Sequence, residues 1–214
     1  ELKAYKQSII TEAVTKGLDP NAPLKDSGIE WIGKIPEGWE VCKIQHLSTL
    51  QSGNSLTTEQ IQPQGKYPVY GGNGLRGYYD SYNCTGHYVL IGRQGALCGN
   101  INYANGMFWA TEHAVVCYPK TSYCTHWFGE MLRIMNLNQY SLSSAQPGIS
   151  VERIKALWLP VPPISEQQAI ADYLDTKCSE IDALIQLKLQ KIDSLKEYKK
   201  SIIYEYVTGK KEVI

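Results

Sequence analysis

The most constraining feature of the sequence is a long C-terminal stretch without helix-breaking residues. No glycine or proline occurs between Pro163 and Gly209. Ser165 and Gln168 have the spacing of a capping box, so a single helix over residues 164–208, about 65 Å long, is expected. Helices in globular domains are usually much shorter. A helix of this length must extend beyond the domain to which it belongs.

One face of this predicted helix carries apolar side chains at alternating steps of four and three residues. Such a face packs against a partner helix in a coiled coil. We expect the helix to project as a rod and to pair with a second helix. The residues predicted to form this helix-pairing seam are Leu174, Ile181, Ile185, Ile192, Leu195 and Ile202.

The beginning of the chain repeats the end of the predicted helix. Residues 2–15 (LKAYKQSIITEAVT) align without gaps with residues 195–208 (LKEYKKSIIYEYVT), and ten of the fourteen positions are identical. Because repeats of this kind indicate a tandem architecture, we interpret residues 1–17 as the tail of a preceding conserved helix. The chain then represents one unit of a tandem.

The middle of the chain has a different character. Residues 18–28 are rich in turn-forming residues and predict a linker. Over residues 29–163, short apolar runs separated by glycine, proline and asparagine predict strands, and only residues 125–138 have a helical pattern. The predicted fold class is therefore α+β. A globular mixed domain is followed by one long coiled-coil-forming helix (164–208) and a C-terminal tail (209–214).

The charge composition limits how this chain can bind nucleic acid. Twenty-one basic and twenty-one acidic residues give a net charge of zero. Contact with a polyanion must therefore be local or shared with a partner. The sequence has no apolar run of membrane-spanning length and no secretory leader, so we expect a cytoplasmic protein.

Metal-binding and catalytic patterns are missing from the sequence. The six cysteines form no C-x-x-C pair, and the spacing of His113, Cys117, Cys124 and His126 fits no known zinc framework. The sequence contains no P-loop, G-x-S-x-G or H-E-x-x-H motif, and its central carboxylates are scattered. We therefore expect a non-catalytic chain that holds no metal. Separately, we expect the five tryptophans to lie in the core.

The segment GNGLRG, which contains Gly72, Gly74 and Gly77, matches the dinucleotide-binding pattern G-x-G-x-x-G. That pattern requires a following helix whose N-terminus binds the pyrophosphate. Here the following residues, YYDSYN, favour a turn and a strand. A nucleotide-binding enzyme is therefore not expected.

Glycines and polar side chains are concentrated in one part of the predicted domain. Nine of the eighteen glycines lie within residues 71–106. Arginine can pair with guanine, asparagine and glutamine can pair with adenine, and backbone amides can bind phosphate. These residues could instead serve only as turns and core, and Arg76 and Arg93 are the stronger individual candidates. The candidate DNA-binding residues are Asn73, Arg76, Tyr78, Arg93, Gln94, Asn100, Asn102, Asn105, Ser143, Ser144 and Gln146.

Four segments together resemble the DNA specificity subunit of type I restriction-modification systems. They are SGIEWIGKIPEGWEV (27–41), YPVYGGNGLRGYY (67–79), IGRQGALCGNI (91–101) and residues 143–185, which contain AQPGIS and PVPPISEQQAIADYL. The resemblance implies a target-recognition domain followed by a conserved spacer helix. A full subunit of this family has two such units, whose helices pair antiparallel and fix the distance between two half-sites.

The resemblance also implies partners and cofactors. Double-stranded DNA is the expected ligand, and methyltransferase subunits assemble on the helices and link the chain to the restriction subunit. S-adenosylmethionine, ATP and Mg are expected on those partner subunits, and no cofactor is expected in this chain. With one recognition domain, the chain must pair with the other half of a subunit or form a dimer with a second copy.

A different class of function is also compatible with the residue pattern alone. A non-enzymatic coiled-coil assembly protein could use the same helix, with a globular head that binds protein or a small ligand through the glycine-rich loops. Specific DNA binding separates the two hypotheses, because its affinity falls as salt rises and differs between target and scrambled duplexes.

Overall fold

A computed structural model describes residues 1–95, 97–141 and 147–211. Its first half contains α1 (Leu2–Lys16), β1 (Leu24–Asp26), β2 (Lys34–Pro36), β3 (Glu40–Lys43), α2 (Ile44–Leu47), β4 (Ser48–Ser52), β5 (Tyr67–Gly71), β6 (Gly74–Tyr79) and β7 (Cys84–Gly92). Its second half contains β8 (Ile101–Ala110), β9 (Ala114–Pro119), α3 (Thr125–Ile134), α4 (Val151–Lys155), β10 (Trp158–Val161) and α5 (Ile164–Val207). We call residues 24–161 the head and α5 the rod. The predicted α+β class, with a mixed head followed by a long helix, is confirmed.

The head is built on a six-stranded sheet with the strand order β4-β9-β7-β8-β5-β6. Neighbouring strands are antiparallel except for β5 and β8, which are parallel. β3 pairs with β10, the last strand of the head, and β1 pairs with β2 in a separate ribbon. The rod therefore starts next to β3.

The long β7–β8 hairpin must curl back on itself. Its open end pairs Cys84 with Phe108, while β9 begins with Ala114 beside Gly92 at the other end of β7. A straight β7 would separate these ends by about 26 Å, and the short connection from β8 to β9 spans only about half of that. Gly86 and Gly106 lie opposite each other with φ angles of 142° and 78°, a backbone geometry that favours glycine and allows the bend.

Side chains on the two faces of the sheet enter different cores, as the alternation along β9 illustrates. Val115 and Cys117 join the main core, which also contains residues of α1, α3 and α5. Ala114 and Val116 point the other way, into a smaller core inside the curled sheet, where Phe108 is fully buried. This two-residue period is the one expected for a strand that is buried on both faces.

Helix α3 packs on the outer face of the sheet, and α1 and α5 pack beside α3. The buried face of α3 contains Trp127, Phe128, Met131 and Leu132. Beside α3, Val14 of α1 enters the same main core, and so do Ile170 and Leu174 of α5. The head, α1 and the beginning of the rod therefore share one hydrophobic core.

The rod is one continuous helix of 44 residues that is packed at only one end. Its buried residues are Gln167, Ile170, Ala171, Leu174 and Ile181. From residue 182 to residue 211 no described residue is buried. At a rise of 1.5 Å per residue, about 39 Å of helix beyond Ile181 extends away from the core.

Polar contacts fix the angle between the rod and the head. The indole Nε1 of Trp39 donates a 2.9 Å hydrogen bond to Oε2 of Glu166, in the first turn of α5. Two turns further along the rod, Nδ1 of His126 on α3 lies 3.1 Å from Oδ1 of Asp175. The carboxylates of Glu130 and Asp175 hold the pKa of His126 above its ordinary value, although partial burial opposes this effect. These contacts tie the first turns of the rod to two separate parts of the head.

Three details of the sequence-based expectation were wrong. No capping box forms at the start of α5, where the N-cap is Pro163 without a side-chain bond and the side chain of Gln168 donates to Asp172 instead. The apolar runs predicted as strands also contain the short helices α2 and α4, whose residues Ile44 and Ile154 are fully buried. Trp31 and Trp158 are exposed rather than part of the core.

The packing of the rod predicts that leucine-to-alanine substitutions at two positions of this helix change the free energy of unfolding by different amounts. Leu174 is 1% exposed and Leu187 is 63% exposed. We expect Leu174→Ala to lower the free energy of unfolding by about 2 to 5 kcal/mol, because it leaves a cavity in the main core. Leu187→Ala, the matched control, should change it by less than about 0.5 kcal/mol. Urea denaturation of both variants measures the difference, and equal losses would contradict this packing.

Candidate nucleic-acid interface

Four connections meet at one edge of the curled sheet. They are the segment after β4 (residues 52–54), the β5–β6 turn (72–73), the β7–β8 loop (93–100, described except for residue 96) and the β8–β9 turn (111–113). The curl of the β7–β8 hairpin brings the last of these turns beside the loop at the closed end of the hairpin. We call this group the loop cluster.

Backbone contacts hold the loop cluster together. The amide of Arg93 donates a 2.9 Å hydrogen bond to the carbonyl of His113, and the amide of Ile149 donates to the carbonyl of Arg93 at 3.0 Å. A Cβ atom at Gly72 would come within 3.2 Å of the carbonyl oxygens of Gln94 and His113. A side chain at this position would require the two carbonyl groups to shift by a few tenths of an ångström, so glycine favours the close approach of the β5–β6 turn to the other loops. The backbone thus presents the polar side chains of the cluster on an ordered frame.

Asparagines predicted from the sequence lie together in the loop cluster. Nδ2 of Asn100 donates a 3.3 Å hydrogen bond to Oδ1 of Asn73, which joins the β7–β8 loop to the β5–β6 turn. Asn102 lies beside Gly74, and among the described residues its buried Nδ2 atom has no hydrogen-bond partner. Because this atom is buried, the amide of Asn102 lies beneath the exposed surface of the edge.

The guanidinium of Arg93 is held within the cluster by a hydrogen bond rather than by a salt bridge. Its Nη1 atom donates a 3.3 Å hydrogen bond to Oγ of Ser52 on β4. Within the described parts of the chain it forms no salt bridge with a carboxylate. The remaining guanidinium donors can therefore bind an acceptor outside the protein, such as a guanine edge or a phosphate.

Arg76 borders the cluster rather than lying at its centre. It is exposed on β6, and its Cδ atom lies against Gly71, where an added Cβ would come within 2.5 Å of it. This contact directs the aliphatic stem of Arg76 along the base of the β5–β6 turn. The two arginines selected from the sequence thus lie on neighbouring parts of the same edge.

The structure does not bring all the candidate residues together. Asn73, Arg93, Gln94 and Asn100 belong to the loop cluster, and Asn102 lies next to it on β8. Tyr78 lies further along β6, where its backbone pairs with Gln62, and Asn105 pairs with His87 near the bend of the hairpin. Ser143, Ser144 and Gln146 lie outside the described residues, as do the last three residues of the predicted tail 209–214.

Sequence reasoning missed three polar residues of the cluster. Ser52 binds Arg93, and His113 lies with its Nε2 atom 3.3 Å from Oε1 of Glu112. Oε2 of Glu112 is buried and has no hydrogen-bond partner among the described residues. No local signal marks these residues, because only the register of β4, β9 and β7 places them next to Arg93.

The chemistry of this edge is that of binding. Amide, guanidinium and backbone groups supply hydrogen-bond donors and acceptors on ordered loops. The GNGLRG segment forms the β5–β6 hairpin, with no helix after it, so the dinucleotide-binding pattern is accidental, as expected.

Residues 1–95, 97–141 and 147–211 contain no group of histidine, cysteine and acidic side chains that could hold a metal ion. All six cysteines are free, and burial raises the pKa of the Cys117 thiol.

The rod carries a second candidate interface. The residues of its predicted seam lie in two different environments. Leu174 and Ile181 are buried against the head and α1. Ile185 and Ile202 are half-buried, while Ile192 and Leu195 are exposed. The first part of the seam is therefore occupied within the chain, and the second part presents apolar side chains to solvent.

None of the helices in the described residues is both long enough and apolar enough to cross a membrane.

Comparison with known proteins gives one consistent family. Residues 36–209 match the model described as the type I restriction modification DNA specificity domain. Over 159 residues the chain is 46% identical to the specificity subunit of the type I restriction enzyme EcoprrI of Escherichia coli, a match that covers 73% of this chain and 39% of that subunit. It is also 25% identical to a putative type I specificity subunit of Mycoplasma pneumoniae, over 81% of this chain and 60% of that protein. The chain thus spans about two fifths to three fifths of these curated relatives.

Solved structures share the fold at low sequence identity. The HsdS subunit of Thermoanaerobacter tengcongensis superimposes with a TM-score of 0.64 at 18% identity, over 95% of this chain and 50% of that one. The type I restriction-modification S subunit of M. genitalium gives a TM-score of 0.60 at 20% identity, over 88% of this chain and 46% of that one. The family match, the head with its loop cluster and the long rod therefore agree, and the chain belongs to the family of type I restriction modification DNA specificity domains.

Proposed function

We propose that this chain is a non-catalytic, sequence-specific DNA-binding unit that recognises one half of a bipartite target in a type I restriction-modification system. The observation that carries the proposal is the loop cluster, where Arg93 has guanidinium donors without a partner among the described residues and lies on the same edge as Asn73 and Asn100. The names of the relatives support it, because they are specificity subunits. The alternative of a coiled-coil assembly protein whose head binds protein or a small ligand gains no support from these relatives.

The side chains of the loop cluster suit recognition of base edges in the major groove. An arginine can donate two hydrogen bonds to O6 and N7 of guanine, and an asparagine or glutamine can bind N6 and N7 of adenine. Arg93, Gln94 and Asn100 supply these groups from the β7–β8 loop, while Arg76 lies at the border of the cluster. Because the chain has no net charge, its preference must come from such local contacts.

We further propose that the exposed end of the rod pairs with another helix. The packing of α1 supports this proposal, because residues 2–15 repeat residues 195–208. Val14 is completely buried, whereas its counterpart Val207 is 80% exposed. Lys6 forms a 2.7 Å salt bridge with Asp182 of the rod, and its counterpart Lys199 has no such partner among the described residues. The end of the rod therefore has the side chains of a packed helix without the surface that packs against it.

The position of α1 favours one partner over another. The surface that residues 195–208 would need is the beginning of an equivalent rod, and in this chain α1 covers that surface. A second copy would have to displace α1 before it could pair in this way. The other half of a longer subunit is therefore the favoured partner, and a dimer of two copies, which would recognise a palindromic target, is the alternative.

Another face of the rod remains available for partner subunits. Tyr5 and Tyr198 occupy equivalent positions of the repeat and are 60% and 65% exposed, so this position stays open even where α1 is packed. We propose that methyltransferase subunits bind along such exposed apolar positions and link the chain to the restriction subunit. S-adenosylmethionine, ATP and Mg would then be bound by those partner subunits, in the cytoplasm.

The recognition proposal is tested by exchanging heads. Residues 40–161 should be replaced by the corresponding segment of a relative with a different target, and the assembled methyltransferase should be analysed by methylome sequencing. We expect the recognised half-site to change with the head while the spacer length stays the same. Exchange of the rod beyond residue 182 is the control and should leave the half-site unchanged. An unchanged half-site after the head exchange would refute the assignment.

The individual arginines of the edge give a finer prediction. Arg93→Ala should weaken binding to a target duplex by about ten- to a hundredfold, which corresponds to about 1 to 3 kcal/mol, if its contact is to guanine. The preference over a scrambled duplex should then fall as well, whereas a phosphate contact would weaken both duplexes equally. For Arg76→Ala, at the border of the cluster, the affinities for the target and scrambled duplexes are compared in the same way. Fluorescence anisotropy with both duplexes distinguishes these outcomes, and unchanged affinity would exclude a DNA contact.

If the rod pairs through its seam, a charge introduced into the seam should prevent this association. Ile192→Glu should abolish association with a separately expressed preceding half, because pairing would bury an unpaired charge. The change should leave the stability of the chain itself unaltered, since Ile192 is exposed. Gln190→Glu adds the same charge on the opposite side of the helix and serves as the control. Sedimentation velocity measures the complex, and equal association of both variants would contradict the assignment of the seam.

A further inference from the structure

The positive charges of the head are not concentrated at the loop cluster. Of the eight lysines and arginines between residues 41 and 160, only Arg76 and Arg93 lie at or beside that cluster. Four others lie on β3, on α4 and directly after β9. We call these four residues the basic surface: Lys43, Lys120, Arg153 and Lys155.

Two residues of the basic surface, Lys120 and Lys155, line a shallow polar cavity of about 480 Å³. Its lining consists of polar and charged side chains from α2, β4 and α4 and of the residue that follows β9. The lining residues are Gln45, His46, Ser48, Thr49, Lys120, Glu152 and Lys155. Lys43 immediately precedes α2 in the chain, and Gln45 and His46 of α2 line the cavity.

Most of the charge on this surface is not neutralised. Nζ of Lys120 donates a 2.8 Å hydrogen bond to the carbonyl of Gln45, and Nζ of Lys43 lies 5.2 Å from the centre of the exposed Trp158 ring. Neither lysine forms a salt bridge within residues 1–95, 97–141 and 147–211. Lys155 pairs with Glu152 at 2.8 Å, and Glu152 is the one carboxylate among the described residues that line the cavity. The surface therefore has a local positive charge although the whole chain is neutral.

Strand β4 connects this surface to the loop cluster. Ser48 and Thr49 line the cavity, while Ser52 at the other end of the strand accepts the hydrogen bond from Arg93. Four residues of an extended strand span about 13 Å. This separation is close to the width of the major groove, about 12 Å. A head that inserts its loop cluster into the groove would therefore bring the basic surface near a strand of phosphates bordering that groove.

We propose that the basic surface is a second DNA contact, which binds phosphates of the backbone bordering the half-site. The proposal rests on the DNA-recognition function and adds a contact that carries no sequence information. Lysine ammonium groups bind phosphate as point charges and need no fixed geometry, which suits a contact that positions the duplex. The loop cluster then discriminates between bases, and the basic surface supplies affinity.

The test is a salt titration of a triple variant, Lys43→Gln with Lys120→Gln and Lys155→Gln, in the full chain. For each phosphate that the variant no longer binds, the slope of log affinity against log salt should become less steep by about 0.9, which gives about 2 to 3 for the triple variant. Affinity should fall by the same factor on target and scrambled duplexes, so the preference between them is retained. Circular dichroism confirms that the triple variant is folded.

A second triple variant controls for net charge. Lys25→Gln, Lys34→Gln and Lys66→Gln remove three exposed lysines outside the basic surface and change the net charge by the same amount. Equal slopes for the two triple variants would overturn the proposal, because the effect would then be one of total charge. An unchanged slope for the basic-surface variant would also overturn it and would leave a protein partner as the occupant. Failure of the DNA-recognition function has a different signature, since the unmodified chain would then show no preference for the target.

Discussion

The structure depends on the insertion of the first turns of α5 into the core that the head shares with α1. Ile170 and Leu174 are apolar anchors of this joint, and the contacts Trp39–Glu166 and His126–Asp175 fix its angle from two sides. A helix held at one end in this way behaves as a rigid extension of the head, because the main core is close-packed. The orientation of the loop cluster is thereby transmitted to the exposed end of the rod. Under the proposed function, this coupling would let the rod set the distance between two recognition units.

The rod could be predicted because its signal is local. The absence of glycine and proline after Pro163 and the repeat at residues 195–208 required no knowledge of tertiary contacts. The short helices α2 and α4 escaped prediction because a helix of four or five residues is stabilised by its packing rather than by its own sequence. Ile44 and Ile154 show this, since both are completely buried in the main core.

The candidate site was predictable only in part for a related reason. Asn73, Arg93, Gln94 and Asn100 could be selected by residue type and by the density of glycines around them. Their assembly into one cluster, and the presence of Ser52, Glu112 and His113, depend on the curl of the β7–β8 hairpin at Gly86 and Gly106. Register along strands β4, β9 and β7 is a long-range property that spacing in the sequence does not reveal. For the same reason the lysines of the basic surface, which are far apart in the sequence, gave no recognisable pattern.

The central claim is that the loop cluster, held on a rigid head and rod, is the part of the chain that recognises bases. Hydrogen–deuterium exchange of the chain with saturating target duplex tests this most directly, with a scrambled duplex of equal length as the reference. The account predicts added protection in the β7–β8 loop and the β5–β6 turn that is specific to the target duplex. It also predicts no target-specific change along residues 182–207 of the rod. Target-specific protection confined to the rod, with the loop cluster unchanged, would contradict the account.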